Sequence, residues 1–228
     1  MITKAQRTSP DEWRKILFVV YDSLIEAQAS DVMLFGSQLM SVYTKRAFAS
    51  KDLDLIVGGI GMRSLNRVTS DLGKFLQSQQ LPTFDYQVTQ YEGREYPVSH
   101  IYLKPLGKKP FVVELFHTFL GHEIRKLTPY IIFRKVWGRE FEVLTLEGVI
   151  ATRLAFRPPE RITPFNARRL NRLIEQNQRK INWAEVREFI NYFGLQKIVA
   201  ENLVELKKSH NIVVGPASKD LRSLGVNC

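Results

Sequence analysis

Leu34-Phe35-Gly36-Ser37, followed after a gap by Lys51-Asp52-Leu53-Asp54-Leu55-Ile56-Val57, carries the strongest structural signal in this chain. The first piece ends an apolar run on a small turn able to hold phosphate. The second sets two carboxylates one residue apart inside an apolar segment. Side chains at i and i+2 of a strand share a face, so Asp52 and Asp54 stand together while Leu53 and Leu55 turn toward a core. Two like charges held that close cost free energy unless a cation lies between them. The pair reads as a seat for magnesium carrying a polyphosphate.

Outward from this stretch the chain alternates helix and strand. Ser9-Pro10 with Glu12 reads as a capping box with proline at the first helical position. It predicts a helix to about Ala29, with Trp13, Ile16, Leu17, Val20, Leu24 and Ile25 as its buried stripe. Val32–Phe35 is a short strand, residues 38–50 a partly helical connector, and Asp52–Val57 a strand stopped by Gly58-Gly59. A helix is expected from Ser64 to about Gln77. Strands are expected at Tyr86–Tyr91, Val98–Leu103 and Phe111–Phe116, separated by turns at Glu92-Gly93 and Leu106–Pro110. Glu114 lies inside the last of these. A buried glutamate needs a partner, which Asp52, Asp54 and a shared cation would supply; an edge strand with Glu114 facing water is the alternative.

Tyr130–Val136 and Glu142–Leu144 read as further short strands. From Thr145 the pattern turns helical: Leu146 to about Phe156, Pro164 to about Glu175, a capping-box pattern at Asn182 with Glu185 opening a helix through Tyr192, and Leu195–Lys207. The expected architecture is an α/β (α+β) layer over residues 1–144, a mixed sheet flanked by helices, followed by a helical domain over 145–228.

At 228 residues the chain can bury a real core. No run of about 18 apolar residues suggests a membrane span, and no secretory pattern follows Met1. The lone cysteine, Cys228, rules out an intrachain disulfide and a thiolate zinc cluster and suits a reducing, cytoplasmic setting. The formal charge of +10 is uneven: residues 1–124 carry +1 and residues 125–228 carry +9. A basic second half suggests an anionic partner, nucleic acid first; a solvated basic surface is the plainer account. Arg168, Arg169, Arg172, Arg179 and Lys180 are the densest basic group. Lys45, Arg46 and Lys51 flank the carboxylates and could reach a triphosphate. His117 and His122 match no metal motif, and Trp13, Trp137 and Trp183 are read as core anchors.

The ordered set of strand–Gly36-Ser37, strand–Asp52-x-Asp54 and strand–Glu114 resembles the nucleotidyltransferase superfamily, the group related to polymerase beta, over roughly residues 12–117. The resemblance implies a metal-dependent nucleotidyltransferase that moves a nucleoside monophosphate from an NTP to an acceptor hydroxyl. Asp52, Asp54 and Glu114 would be catalytic and hold two magnesium ions; Gly36, Ser37 and Lys51 would bind the phosphates. Fourteen residues separate Ser37 from Asp52, more than the family usually has, which implies an inserted loop. The third acid is Glu where Asp is more usual. The segment Thr145–Phe156 resembles, more weakly, the abortive-infection AbiEii-like toxin branch, which implies an antitoxin-type protein partner. The acceptor could be an RNA end (tRNA-like), a protein hydroxyl or a small aminoglycoside-like molecule, and the basic second half favours RNA. Where that branch carries a lysine this chain has Arg153, able to bind phosphate but not to act as a base. Arg153, Arg168, Arg169 and Arg172 are the candidate nucleic-acid contacts. The alternative is a degenerate member acting as a binding or regulatory module without catalysis.

Overall fold

A computed structural model describes residues 8–44, 46–78, 88–92, 97–103, 111–155, 162–212 and 214. Glu92-Gly93 as a turn, the loop 106–110, Lys45, Pro158-Pro159 and Cys228 fall wholly or partly outside them. The chain divides into two compact units, Met1–Val42 with Arg46–Val143 and Tyr43–Lys45 with Leu144–Cys228.

In the first unit a seven-stranded mixed sheet runs in the order β3-β4-β5-β2-β1-β7-β6. Its strands are β1 (Asp31–Leu34), β2 (Asp52–Gly58), β3 (Val88–Glu92), β4 (Pro97–Leu103), β5 (Phe111–Phe116), β6 (Ile131–Val136) and β7 (Arg139–Leu144). β1 and β2 are antiparallel, β2 and β5 parallel, and β4 antiparallel to both β3 and β5. The apolar positions read from the sequence form the core: Leu53, Leu55, Val113 and Leu115 are fully buried. Their neighbours Asp52 and Glu114 are only partly covered. On β5 burial alternates along the strand, whereas β2 is covered on both faces from Leu53 to Val57.

Helix α1 (Pro10–Glu26) forms because Ser9 and Glu12 satisfy each other's backbone amides. Trp13, Leu17, Val20 and Leu24 are fully buried, and the Trp13 indole donates to the Phe48 carbonyl at 2.9 Å. The helix ends at Glu26, not near Ala29, because Gln28 takes a positive φ of 60°. Ile25 is 50% exposed, since it sits 100° around the helix from Leu24 and outside the stripe. Helix α3 (Met62–Ser78) begins two residues earlier than the pattern suggested and packs on α1, with Ser23 donating to Asp71 at 2.9 Å. A 3₁₀ helix at Ile124–Tyr130 was not anticipated.

β7 carries an acid the sequence did not single out. Glu142 stands opposite Met33 of β1, and its Oε2 is buried with no hydrogen-bond partner among the described residues. Burial first, and then the Asp31 charge, push its carboxyl above the usual carboxylate range. A carboxyl raised by folding contributes most below its unfolded pKa, and that contribution is lost as pH rises toward the folded value. Glu142→Gln is therefore expected to raise the melting temperature at pH 7. The gain should fade below about pH 4, where the wild-type carboxyl is protonated in both states. Thermal melts at the two pH values check this; an equal gain at both would point to packing instead of charge.

The second unit is helical: α4 (Leu146–Ala155), α5 (Pro164–Asn177), α6 (Trp183–Tyr192) and α7 (Gln196–His210). α4 is its centre, buried at nearly every position. Asn202 donates to the Leu154 carbonyl at 2.8 Å, and Asn177 donates to both Tyr43 and Leu173 carbonyls at 2.9 Å. The capping box read at Asn182 is replaced by a longer-range device. Asn182 Oδ1 caps the Ala184 amide and its side-chain amide donates to Glu185 at 2.7 Å, but the Asn182 backbone amide donates to Glu147 of α4 at 3.0 Å. Phe193 is buried, whereas Tyr192 is 53% exposed. No helix among the described residues is long and apolar enough to cross a membrane.

Candidate active site

Asp52 and Asp54 stand on β2, and the parallel register with β5 sets Asp54 directly beside Glu114. One carboxylate oxygen from each of Asp52, Asp54 and Glu114 lies within 4.8 Å of the others. β5 is an interior strand between β4 and β2, so the edge-strand alternative for Glu114 is removed. Asp54 is the most enclosed of the three, at 9% exposure. The donor set is oxygen only, which fits a hard divalent cation such as magnesium or manganese.

Gly36 opens helix α2 (Gly36–Tyr43), so the Gly-Ser turn is the first turn of a helix and not a free loop. Its φ is +59°, and a Cβ built there would lie 1.5 Å from Asp54 Oδ2. Glycine is needed at this position on two counts: the left-handed backbone, and the carboxylate resting against its Cα. The Phe35 amide donates to the Asp54 carbonyl at 3.0 Å, joining the end of β1 to β2.

Three residues that sequence reasoning passed over hold the cluster. Gln38, 1% exposed, donates to the Asp52 carbonyl at 2.7 Å, and its Oε1 accepts from the Asp54 amide at 3.5 Å. One side chain thus grips the backbone on both sides of Leu53. Ser50 donates to Asp52 Oδ1 at 2.9 Å. A hydroxyl has a single proton, so in the 2.8 Å contact between Ser37 and Ser50 it is Ser37 that donates. The hydroxyl of Ser37 is therefore committed inward to Ser50. An anion at the start of α2 would meet backbone amides that have no partner earlier in the helix. The third residue, His100 on β4, lies in register with Glu114, its Nε2 3.3 Å from Glu114 Oε1. Period-two alternation could have flagged Ser50, two residues before Asp52. Gln38 and His100 carried no local signal.

Lys51 is exposed at the head of β2, one residue out of phase with the two aspartates. His117 is a half-buried packing residue 2.7 Å from Ser99 Oγ, its pKa lowered by burial. Trp13 anchors the core edge-on to Trp137, 5.1 Å between centroids. In the helical unit Arg168 and Arg172 are exposed four residues apart on α5. Arg169, by contrast, is half-buried and lies 4.0 Å over the Phe165 ring. Arg153 is half-buried on α4.

No family model matches the sequence, and no curated protein is significantly similar to it. Solved structures align with it over most of their length. The antibiotic-resistance factor ANT(2'')-Ia aligns over 85% of this chain and 97% of its own, at 10% identity and a TM-score of 0.50. A nucleotidyltransferase-like antigenic protein from Paracoccidioides brasiliensis aligns over 93% and 98%, at 14% identity and a TM-score of 0.45. A protein described as a nucleotidyltransferase from H. pylori aligns over 93% and 90%, at 15% identity and a TM-score of 0.49. The mixed sheet, its strand-end helix and the flanking helices give this chain a nucleotidyltransferase-like fold.

Proposed function

We propose that the first unit is a metal-dependent nucleotidyltransferase, moving a nucleoside monophosphate from an NTP to an acceptor hydroxyl. The observation that carries this is the convergence of Asp52, Asp54 and Glu114 within 4.8 Å on adjacent parallel strands. A binding module has no need to gather three carboxylates, whose mutual repulsion is a standing cost. A divalent cation held there would neutralise charge on the phosphates and on the attacking oxygen. The amides opening α2 receive the terminal phosphates. The acceptor oxygen bonds to the α-phosphorus, the bond to the bridging oxygen breaks, and pyrophosphate leaves. Glu114, as a ligand of that cation, would help to activate the acceptor hydroxyl. Pyrophosphate release from NTPs that requires magnesium, rises with added acceptor RNA and is lost in Asp54→Asn tests the proposal. NTP binding without release would favour the non-catalytic module.

For the acceptor, the charge of the second half supports RNA. Arg168 and Arg172 offer an exposed basic face on α5. Replacing both with glutamine is expected to weaken transfer-RNA binding across sequences and to flatten its salt dependence. Each lost phosphate contact should lower the slope of log K against log salt by about 0.7–0.9. Filter binding at several salt concentrations reads this. Salt-independent or undetectable binding would shift the acceptor to a protein or small-molecule hydroxyl.

A further inference from the structure

We propose that His100 is a positioning residue for Glu114, bracing a carboxylate that is one methylene longer than aspartate so that it can meet a divalent cation shared with Asp52 and Asp54. This rests on the cation site proposed above and goes beyond it, since nothing in the acidic motif involves β4.

Three neighbouring strands place one residue each along a single line: His100 on β4, Glu114 on β5 and Asp54 on β2. Adjacent strands lie about 4.8 Å apart, and directly opposed side chains share a face of the sheet. Glu114 is therefore flanked by Asp54 on one side and His100 on the other. A glutamate side chain has an extra rotatable bond compared with aspartate, and ordering it costs conformational entropy. A donor on the side away from Asp54 selects the rotamer without competing for the cation. His100 Nε2 is 3.3 Å from Glu114 Oε1, and the neutral ring can donate from that nitrogen. One carboxylate oxygen then faces the imidazole and the other is left for the metal. The ring is itself held: its centroid is 5.8 Å from that of Tyr102, two residues along the same face of β4. His100 is 18% exposed and Glu114 29%. The contact is thus partly shielded from water, in the manner of hydrogen bonds that orient metal ligands from outside the coordination sphere.

A purely structural pair across β4 and β5 would make a different mark. Such a pair stabilises the sheet and moves the melting temperature, but not the affinity for a cation. The test is a Mn²⁺ titration followed by electron paramagnetic resonance, with Mn²⁺ alone as the probe, on the full chain and its variants. His100→Leu removes the donor. It is expected to weaken Mn²⁺ binding about 10–100-fold, with little change in the melting temperature in chelator. His100→Gln places its amide nitrogen near the position of Nε2 and should bring affinity back to within a few-fold of wild type. His100→Asn, whose nitrogen falls near Nδ1, should resemble the leucine variant. Unchanged affinity in His100→Leu overturns the proposal, as does a glutamine variant no better than leucine. Asp54→Asn, measured alongside, separates the two levels. If it binds Mn²⁺ like wild type, the cation site itself is wrong. If it loses Mn²⁺ while His100→Leu does not, only the role of His100 fails.

Discussion

Asp54→Asn is expected to cut nucleotidyl transfer by about two to three orders of magnitude while the protein stays folded. The size follows from what the site has to do: a preorganised charge that stabilises a transition state contributes about 10²–10³ in rate when one member is removed. Asp54 is the most enclosed of the three acids and the one in register with Glu114. Asparagine keeps the volume beside Gly36 and removes only the charge. In chelator the melting temperature of the variant should equal or exceed that of wild type, because removing one of three clustered carboxylates relieves like-charge repulsion. Pyrophosphate release and a thermal melt in chelator read the two halves separately. A large loss of stability without metal would mean that Asp54 is held by a structural partner and that the cluster is not primarily a cation site.

Gly36→Ala carries the second large effect, and it acts from outside the acidic cluster. Alanine at a φ of +59° costs about 1–2 kcal/mol. The new Cβ, 1.5 Å from Asp54 Oδ2, then forces the carboxylate aside at a further cost of about 1–3 kcal/mol. Displacing a catalytic carboxylate by about 1 Å can lower the rate about 100-fold. The expected result is a lower melting temperature together with weaker Mn²⁺ binding and slower transfer. A double-mutant comparison divides the causes. In an Asp54→Ala background the part of the stability loss due to the carboxylate should shrink, while the backbone part remains. Additive losses would show that the side chain of Asp54 does not press on Gly36.

The supports around the acids explain why these changes should be felt. Gln38 fixes the backbone on both sides of Leu53, and the Ser37–Ser50–Asp52 hydroxyl chain aims the first aspartate. Both reach β2 from α2 or from the segment just before the strand. The fourteen residues between Ser37 and Asp52 are therefore not only an inserted loop; they carry α2 and the serine that orients Asp52.

Local chemistry made much of this legible in the sequence alone. Period-two alternation placed Asp52 and Asp54 together and sent Leu53 and Leu55 into the core, because a strand allows side chains only two directions. The capping residues at Ser9 and the N-cap at Asn182 were readable for a similar reason: they satisfy amides within the same turn. What depended on partners far along the chain was not readable. The end of α1 was set by a left-handed residue at Gln28, and Ile25 lay outside the stripe by angle although not by hydrophobicity. The Asn182 backbone amide found Glu147, 35 residues away, while Glu185 at the local spacing took only the side-chain amide. His100, Gln38 and Ser37 acquired their places only through strand register and the seating of α2. The contact of Gly36 with Asp54 likewise exists only once β1 and β2 lie side by side. Which residues carry charge, and to which side of its strand each one turns, follows from local alternation. How near those charges stand and what holds them there comes from strand pairing and packing, because no local pattern encodes distances between strands.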